Sequence, residues 1–149
     1  MGSYRKIMVG TDGSETSMRA VTKAASVAAD SDAELLIVTA CEAAGPAEAK
    51  AAAEAITHDT FSIVGSAAAE SVLRGAASLA YAKGADNVDT LAVAGPPVEV
   101  LDKVAVDAGA DLLVVGNVGL NTVSGRILGS VPQKVARRAG MDVLIVHTK

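Results

Sequence analysis

The sequence of 149 residues lacks several features that define large classes of protein. A single cysteine, Cys41, makes an intramolecular disulfide impossible, which suits a reducing compartment such as the cytoplasm. No apolar run approaches the ~20 residues that cross a bilayer, and the first residues carry Arg5 and Lys6 without the apolar core of a signal peptide. We therefore expect a cytoplasmic protein with no membrane partner.

Aromatic side chains are also scarce, and the basic side chains form no cluster. The chain has no tryptophan, two tyrosines and one phenylalanine, so a pocket for a nucleobase has to rely on aliphatic side chains and backbone groups. The net charge is −4 and no basic cluster is present, which argues against a nucleic-acid partner. Apolar residues make up half of the chain, enough for the core of a single domain over residues 1–149.

A glycine-rich stretch follows the apolar run at residues 112–115. That run is typical of a strand buried on both faces, and a helical pattern begins after the glycines, at Ser130. Glycine lets the backbone approach an anion closely and adopt positive φ. A helix start adds free N–H groups and the positive end of the helix dipole. This order of elements is typical of phosphate sites in α/β proteins, although glycines also serve ordinary turns.

The spacing of the glycines distinguishes between the known types of phosphate-binding loop. A Walker loop requires Gly-x4-Gly-Lys-Ser/Thr and a dinucleotide loop requires Gly-x-Gly-x2-Gly, and the sequence contains neither. The spacing Gly116-x2-Gly119-x9-Gly129-Ser130 resembles instead the nucleotide-binding branch of the universal stress protein family. The segments GTDGS near the start, DLLVVGNVG before the loop and VLIVH near the end also resemble that family.

This resemblance implies both a fold and a function. The implied fold is an α/β domain with a doubly wound, five-stranded parallel sheet in the order 3-2-1-4-5. The implied ligand is an adenine nucleotide, such as ATP, AMP or cyclic AMP, in a regulatory or stress-response role with at most slow ATP hydrolysis. The sequence shows no positioned general base, so we do not predict an enzyme. A slow ATPase and an interaction protein with an empty glycine loop remain alternatives.

Apolar runs and helical patterns alternate along the chain, which predicts parallel βαβ units with right-handed crossovers. The connection over residues 42–65 is predicted to be variable, because a compact domain rarely carries so long a connection without function or mobility. The predicted strands are Arg5–Gly10, Glu34–Cys41, Val88–Val93, Leu112–Val115 and Asp142–His147. The predicted helices are Ser14 to roughly Ala29, Ser66–Lys83, one between Pro97 and Gly109, and Ser130–Ala139.

The carboxyl ends of the strands are where ligands bind in such sheets, at the point where the strand order reverses. In the implied order this point lies between the first and fourth strands. The candidate nucleotide-binding residues follow the first strand (Gly10, Thr11, Asp12), end the second strand (Val38, Thr39, Ala40), or end the fourth strand and continue into its loop (Val115, Gly116, Gly119, Arg126, Gly129, Ser130, Val131).

Several of these residues have a plain structural alternative. Asp12 is placed to bind a ribose hydroxyl or to help hold Mg²⁺ beside the phosphates, yet aspartate is also common in turns before helices. Arg126 either neutralises phosphate charge or is an exposed loop residue. Ser130 can cap the last helix and face the anion at the same time. Thr39 aligns best with the adenine contact of the family, whereas strand residues of this kind also simply pack in cores.

No other chemistry is predicted from the reactive side chains. His58 and His147 are far apart in sequence and no Cys/His cluster accompanies them, which argues against a zinc site. Cys41 has no evident histidine partner and suits a buried apolar position.

The last strand, at residues 142–147, predicts how the chain associates. The implied order places it at an edge of the sheet, where unpaired N–H and C=O groups are exposed. Residues 143–146 are Val-Leu-Ile-Val, without the charge or proline that often protects such an edge. We therefore expect a homodimer in which two copies of this strand pair about a two-fold axis. Coverage by the C-terminal tail or by a helix is the alternative.

Overall fold

The computed structural model describes residues 4–41, 67–116 and 141–147. Within these ranges five strands form one sheet in the order β3-β2-β1-β4-β5, and every neighbouring pair is parallel. The predicted fold class and strand order are therefore confirmed. The elements are β1 Lys6–Gly10, α1 Glu15–Ser31, β2 Glu34–Cys41, α2 Ala67–Ala82, β3 Val88–Ala94, α3 Pro97–Ala108, β4 Leu112–Gly116 and β5 Asp142–Val146.

The predicted bounds differ from these by one or two residues. The second strand has the predicted bounds, whereas β5 ends at Val146 instead of His147 and β3 extends to Ala94. The helix predicted to end near Ala29 continues to Ser31, because Asp32 adopts a left-handed conformation (φ 53°) and its N–H bonds back to the last turn. The predicted helix Ser130–Ala139 and the connection 42–65 lie outside the described residues.

Both faces of the sheet are buried, which is why its central strands are apolar throughout. Successive strand residues point to opposite faces, so Ile7 and Val9 face one side and Met8 the other. The α1-side cluster joins α1 and α2 to the sheet and includes Ile7, Val9, Ala24, Leu35, Ile37, Leu73, Ala76, Ala80 and Val114. The α3-side cluster joins α3 to the opposite face and includes Met8, Val38, Val93, Val100, Leu101, Val104, Leu113 and Val115.

Small residues and caps determine how α1 sits on the sheet. Ala20, Ala24 and Ala28 are buried along one side of this helix, which lets its backbone approach the strands closely. Ser14 is the N-cap, because its Oγ accepts a hydrogen bond from the Ser17 N–H at 3.2 Å.

At the amino ends of the strands, Asp111 holds β1 and β4 together. Its two carboxylate oxygens accept hydrogen bonds from the backbone N–H groups of Arg5 and Lys6, at 2.9 and 3.0 Å. Its own N–H donates to the Lys6 carbonyl at 2.9 Å. These three bonds join the ends of two strands that are far apart in sequence, and they align the carboxyl ends on the opposite edge.

Candidate functional site

The strand order reverses between β1 and β4, as the fold implied. Their last paired residues are Val9 and Val114, so the chain leaves the sheet at neighbouring points through Gly10 and Gly116. We call residues 10–13, which end and follow β1, and residues 115–116, at the end of β4, the switch point. Ligands of doubly wound sheets bind outside the carboxyl ends at such a reversal. Two glycine-terminated strands therefore meet where a ligand is expected.

Hydrogen bonds within the turn after β1, and from it to β2 and α1, hold this turn in place. Thr11 is fully buried, and its N–H donates to the Val38 carbonyl at 3.0 Å. Its Oγ1 lies 2.7 Å from Ser17 Oγ and accepts from the Gly13 N–H at 3.1 Å. Thr11 is one of the predicted nucleotide-binding residues. Its N–H and its hydroxyl fix the turn in this structure, and its role toward a ligand stays a prediction.

Asp12 combines the turn role with a position at the switch point. Its Oδ1 accepts a hydrogen bond from the Ser14 N–H at 2.9 Å, which is the aspartate turn that commonly precedes a helix. The residue is partly exposed, unlike the buried Thr11 beside it. Among residues 4–41, 67–116 and 141–147, no group of three or more His, Cys, Asp or Glu side chains is arranged to hold a metal ion.

The end of β2 extends past the end of β1. The register pairs Gly10 with Val38, and Thr39 and Ala40 continue beside β3, paired with Ala92 and Val93. Val38 and Thr39 are buried, whereas Ala40 is partly exposed. The side chain of Val38 packs in the α3-side cluster. The three predicted residues are thus next to the switch point, with Ala40 the most accessible of them.

Val115 and Gly116 occupy the end of β4. Val115 is 4% exposed and belongs to the α3-side cluster, so its side chain serves the core. Gly116 is partly exposed and pairs with Val146 of β5. The other predicted residues of the glycine loop, Gly119, Arg126, Gly129, Ser130 and Val131, lie outside the described residues.

Two glycines of the switch point are required by packing. A Cβ on Gly10 would lie 2.9 Å from Cδ2 of Leu101 on α3. Gly13 has φ +85°, and a Cβ there would lie 2.7 Å from Cγ2 of Val72 on α2. The switch point is thus flanked by α3 on one face of the sheet and by α2 on the other. Leu101 and Val72 are not among the predicted site residues, because nothing close to them in the sequence signals these contacts.

Comparison with known proteins identifies the family of the chain. Residues 3–147 match the profile of the Universal stress protein family. A universal stress protein of Mycobacterium tuberculosis is 46% identical over 148 residues, which cover 99% of both chains.

The chain belongs to the universal stress protein family.

Other members are similar over similar lengths. A putative universal stress protein of Staphylococcus epidermidis is 35% identical over 150 residues, covering all of this chain and 87% of the relative. A crystal structure of a universal stress protein in complex with cAMP is 43% identical, with a TM-score of 0.76 over 99% of this chain and 100% of that one. The universal stress protein UspA from Lactobacillus plantarum shares the fold at 23% identity, with a TM-score of 0.78 over 98% of this chain and 99% of that one.

None of the helices in the described part of the chain combines the length and the apolar character needed to cross a bilayer.

Proposed function

We propose that this universal stress protein binds an adenine nucleotide at the switch point. The observation that carries the proposal is the meeting of β1 and β4, which end at Gly10 and Gly116 where the strand order reverses. Support comes from the solved relative that is 43% identical and was crystallised in complex with cAMP. The sequence supplies the matching glycine spacing after β4.

In this proposal the parts of the ligand have separate partners. The phosphates lie over Gly116 and the loop that carries Gly119, Arg126, Gly129, Ser130 and Val131, where backbone N–H groups and one guanidinium meet negative charge. The base lies at the end of β2, beside Thr39 and Ala40. Because the chain has no tryptophan and few other aromatics, backbone groups and aliphatic side chains provide these contacts.

The proposed role is regulatory, through nucleotide occupancy, in the cytoplasm. Purified protein should be titrated calorimetrically with cAMP, AMP and ATP, each with and without Mg²⁺. Binding of at least one of them is expected. A time course of nucleotide composition over the same samples separates binding from slow hydrolysis. Binding of none of the three would leave the interaction protein as the better description.

Replacement of Gly116 by valine tests the location of the ligand. We expect Gly116→Val to abolish binding, since a branched side chain would occupy the path of the phosphates, and to leave the fold largely intact. Gly75→Val is the matched control, because Gly75 is exposed on α2 and an added Cβ there meets nothing within 4 Å. Unchanged affinity in a folded Gly116→Val protein would remove the switch point from the proposal.

Two substitutions separate the effect of the Asp12 charge on nucleotide binding from the effect of its hydrogen bond to the Ser14 N–H. Asp12→Ala removes both the negative charge and the acceptor of the Ser14 N–H bond, whereas Asp12→Asn keeps an acceptor oxygen and removes only the charge. If Asp12 helps to hold Mg²⁺, both variants should weaken ATP binding more with Mg²⁺ than in EDTA. Equal losses under the two conditions would assign Asp12 to the ribose or to the turn.

The proposed assembly is a homodimer formed through β5. This strand lies at the edge of the sheet, and Ile145 is 37% exposed on it. Antiparallel pairing of two such edges would satisfy the open backbone groups of both copies with one self-complementary surface.

A further inference from the structure

We propose that Val72 is a positioning residue of the nucleotide site. From α2 it holds the turn between β1 and α1, at Gly13, in the conformation that presents Asp12 at the switch point. The inference rests on the proposed function for its consequence on binding. The restraint of the turn by a side chain from another helix is a contact within the protein and does not depend on a nucleotide.

Gly13 is the residue at which the turn has most conformational freedom. Its φ of +85° lies in the left-handed region, and glycine populates both signs of φ with similar ease. Two hydrogen bonds lie within the turn on either side of Gly13: the Gly13 N–H donates to Thr11 Oγ1 at 3.1 Å and the Ser14 N–H to Asp12 Oδ1 at 2.9 Å. If Gly13 changed conformation, both bonds would be strained, including the one that helps to orient the Asp12 carboxylate.

Val72 occupies the space beside Gly13. The three atoms nearest to an ideal Cβ on Gly13 all belong to Val72: Cγ2 at 2.7 Å, Cγ1 at 3.3 Å and Cβ at 3.6 Å. One γ-methyl group therefore lies where a larger residue would place its own side chain. This contact blocks movement of the turn toward α2, and it requires glycine at position 13.

The environment of Val72 separates this role from ordinary core packing. Leu73, Ala76 and Ala80 of the same helix are buried in the α1-side cluster, which holds α2 against the sheet. Val72 is partly exposed and belongs to neither the α1-side nor the α3-side cluster. A firmly anchored helix thus presents one valine outside the core to the turn that carries Asp12.

The test compares two Val→Ala substitutions that remove the same atoms. Val72→Ala opens space beside Gly13. Val27→Ala, at a partly buried site near the other end of α1, is the matched control. Val72→Thr keeps both γ positions filled and should behave as the unmodified protein. Amide hydrogen exchange of nucleotide-free protein and calorimetric titration with cAMP and with ATP–Mg²⁺ are measured for all four proteins.

We expect Val72→Ala to speed exchange at the Gly13 and Ser14 amides relative to amides in the middle of α1, and to weaken nucleotide binding by about three- to tenfold. Val27→Ala should neither speed exchange selectively at the Gly13 and Ser14 amides nor selectively weaken nucleotide binding. Val72→Thr should match the unmodified protein in both exchange and affinity. Unchanged exchange in Val72→Ala, or equal effects of the two alanine variants, would overturn the proposal. If the unmodified protein binds no nucleotide, the proposed function fails, while the exchange measurement still decides whether Val72 holds the turn.

Discussion

Replacing Gly10 with alanine tests whether packing, rather than the ligand, demands glycine at the end of β1. The added Cβ would lie 2.9 and 3.1 Å from the two δ carbons of Leu101, whereas carbon atoms in contact prefer about 3.5–4.0 Å. Leu101 is fully buried in the α3-side cluster, so it has little room to move. The substitution should therefore destabilise the fold in the absence of any nucleotide.

The expected size follows from two opposing effects. Overpacking of a filled core typically costs about 1–3 kcal/mol. Replacing glycine by alanine by itself raises the free energy of unfolding by about 0.4–1 kcal/mol, because the unfolded chain has fewer conformations to lose. We expect a net loss of about 1–2 kcal/mol in the free energy of unfolding for Gly10→Ala, measured by urea denaturation at 25 °C.

A double-mutant cycle with Leu101→Ala identifies the cause. Leu101→Ala alone should cost about 2–5 kcal/mol through lost burial and the cavity it leaves. In that background the methyl group of Gly10→Ala partly fills the cavity, so the second substitution should be neutral or stabilising. The interaction free energy between the two sites should be about 1–3 kcal/mol.

The control substitution for this cycle should change the free energy of unfolding in the opposite direction. Gly75→Ala lies on α2, where the added Cβ meets nothing within 4 Å, so it should stabilise the fold by up to about 1 kcal/mol through helix propensity. If Gly10→Ala costs the same with and without the Leu101 side chain, contact with α3 is not the reason for glycine at position 10.

Three further outcomes are expected. Ser14→Ala should lower the free energy of unfolding by about 1 kcal/mol in urea denaturation, since α1 loses its N-cap bond to the Ser17 N–H; no loss would mean that water replaces the cap. Tyr4 donates a hydrogen bond to Asp142 at 3.0 Å, and this bond, followed by burial and nearby negative charge, raises the pKa of the phenol above its usual value of 10.0. This hydrogen bond should therefore stabilise the fold below pH ~10, and the stabilisation should be lost as the pH rises through the raised pKa. In urea denaturation, the difference in free energy of unfolding between the unmodified protein and Tyr4→Phe should accordingly disappear at alkaline pH. Ile145→Lys should convert the dimer to folded monomers in sedimentation velocity, because a charge on an exposed edge strand opposes pairing; a monomeric unmodified protein at micromolar concentration would contradict the dimer itself.

The fold class was predictable from short-range patterns in the sequence. In an apolar run such as Glu34–Cys41, the backbone groups find hydrogen bonds by pairing with neighbouring strands, and the side chains are buried between layers of helices on the two faces of the sheet. The run therefore predicts a buried strand, with the bounds that the structure shows. Pro97 and Gly109 bound α3 because proline suits a helix start and Gly109 adopts the left-handed conformation after the helix end. Each of these signals acts within a few residues, so no tertiary information is needed to interpret it.

The place of the candidate site was predictable to the same extent. The glycine spacing after β4 and the aspartate after β1 both indicated the carboxyl edge of the sheet, and the strand order brings the two strand ends together. The residues beyond Gly116 that would contact phosphates remain predictions from the sequence.

Only the tertiary structure decided what individual residues do there. Gly10 is confined by Leu101, and Gly13 by Val72, through contacts between elements distant in the chain. The hydroxyl of Thr11 lies 2.7 Å from Ser17 Oγ inside the protein, a contact that the sequence did not predict. A local pattern states which residues are apolar or able to form a turn. It does not state which distant side chain comes to lie against them, because that depends on how the helices pack across the sheet.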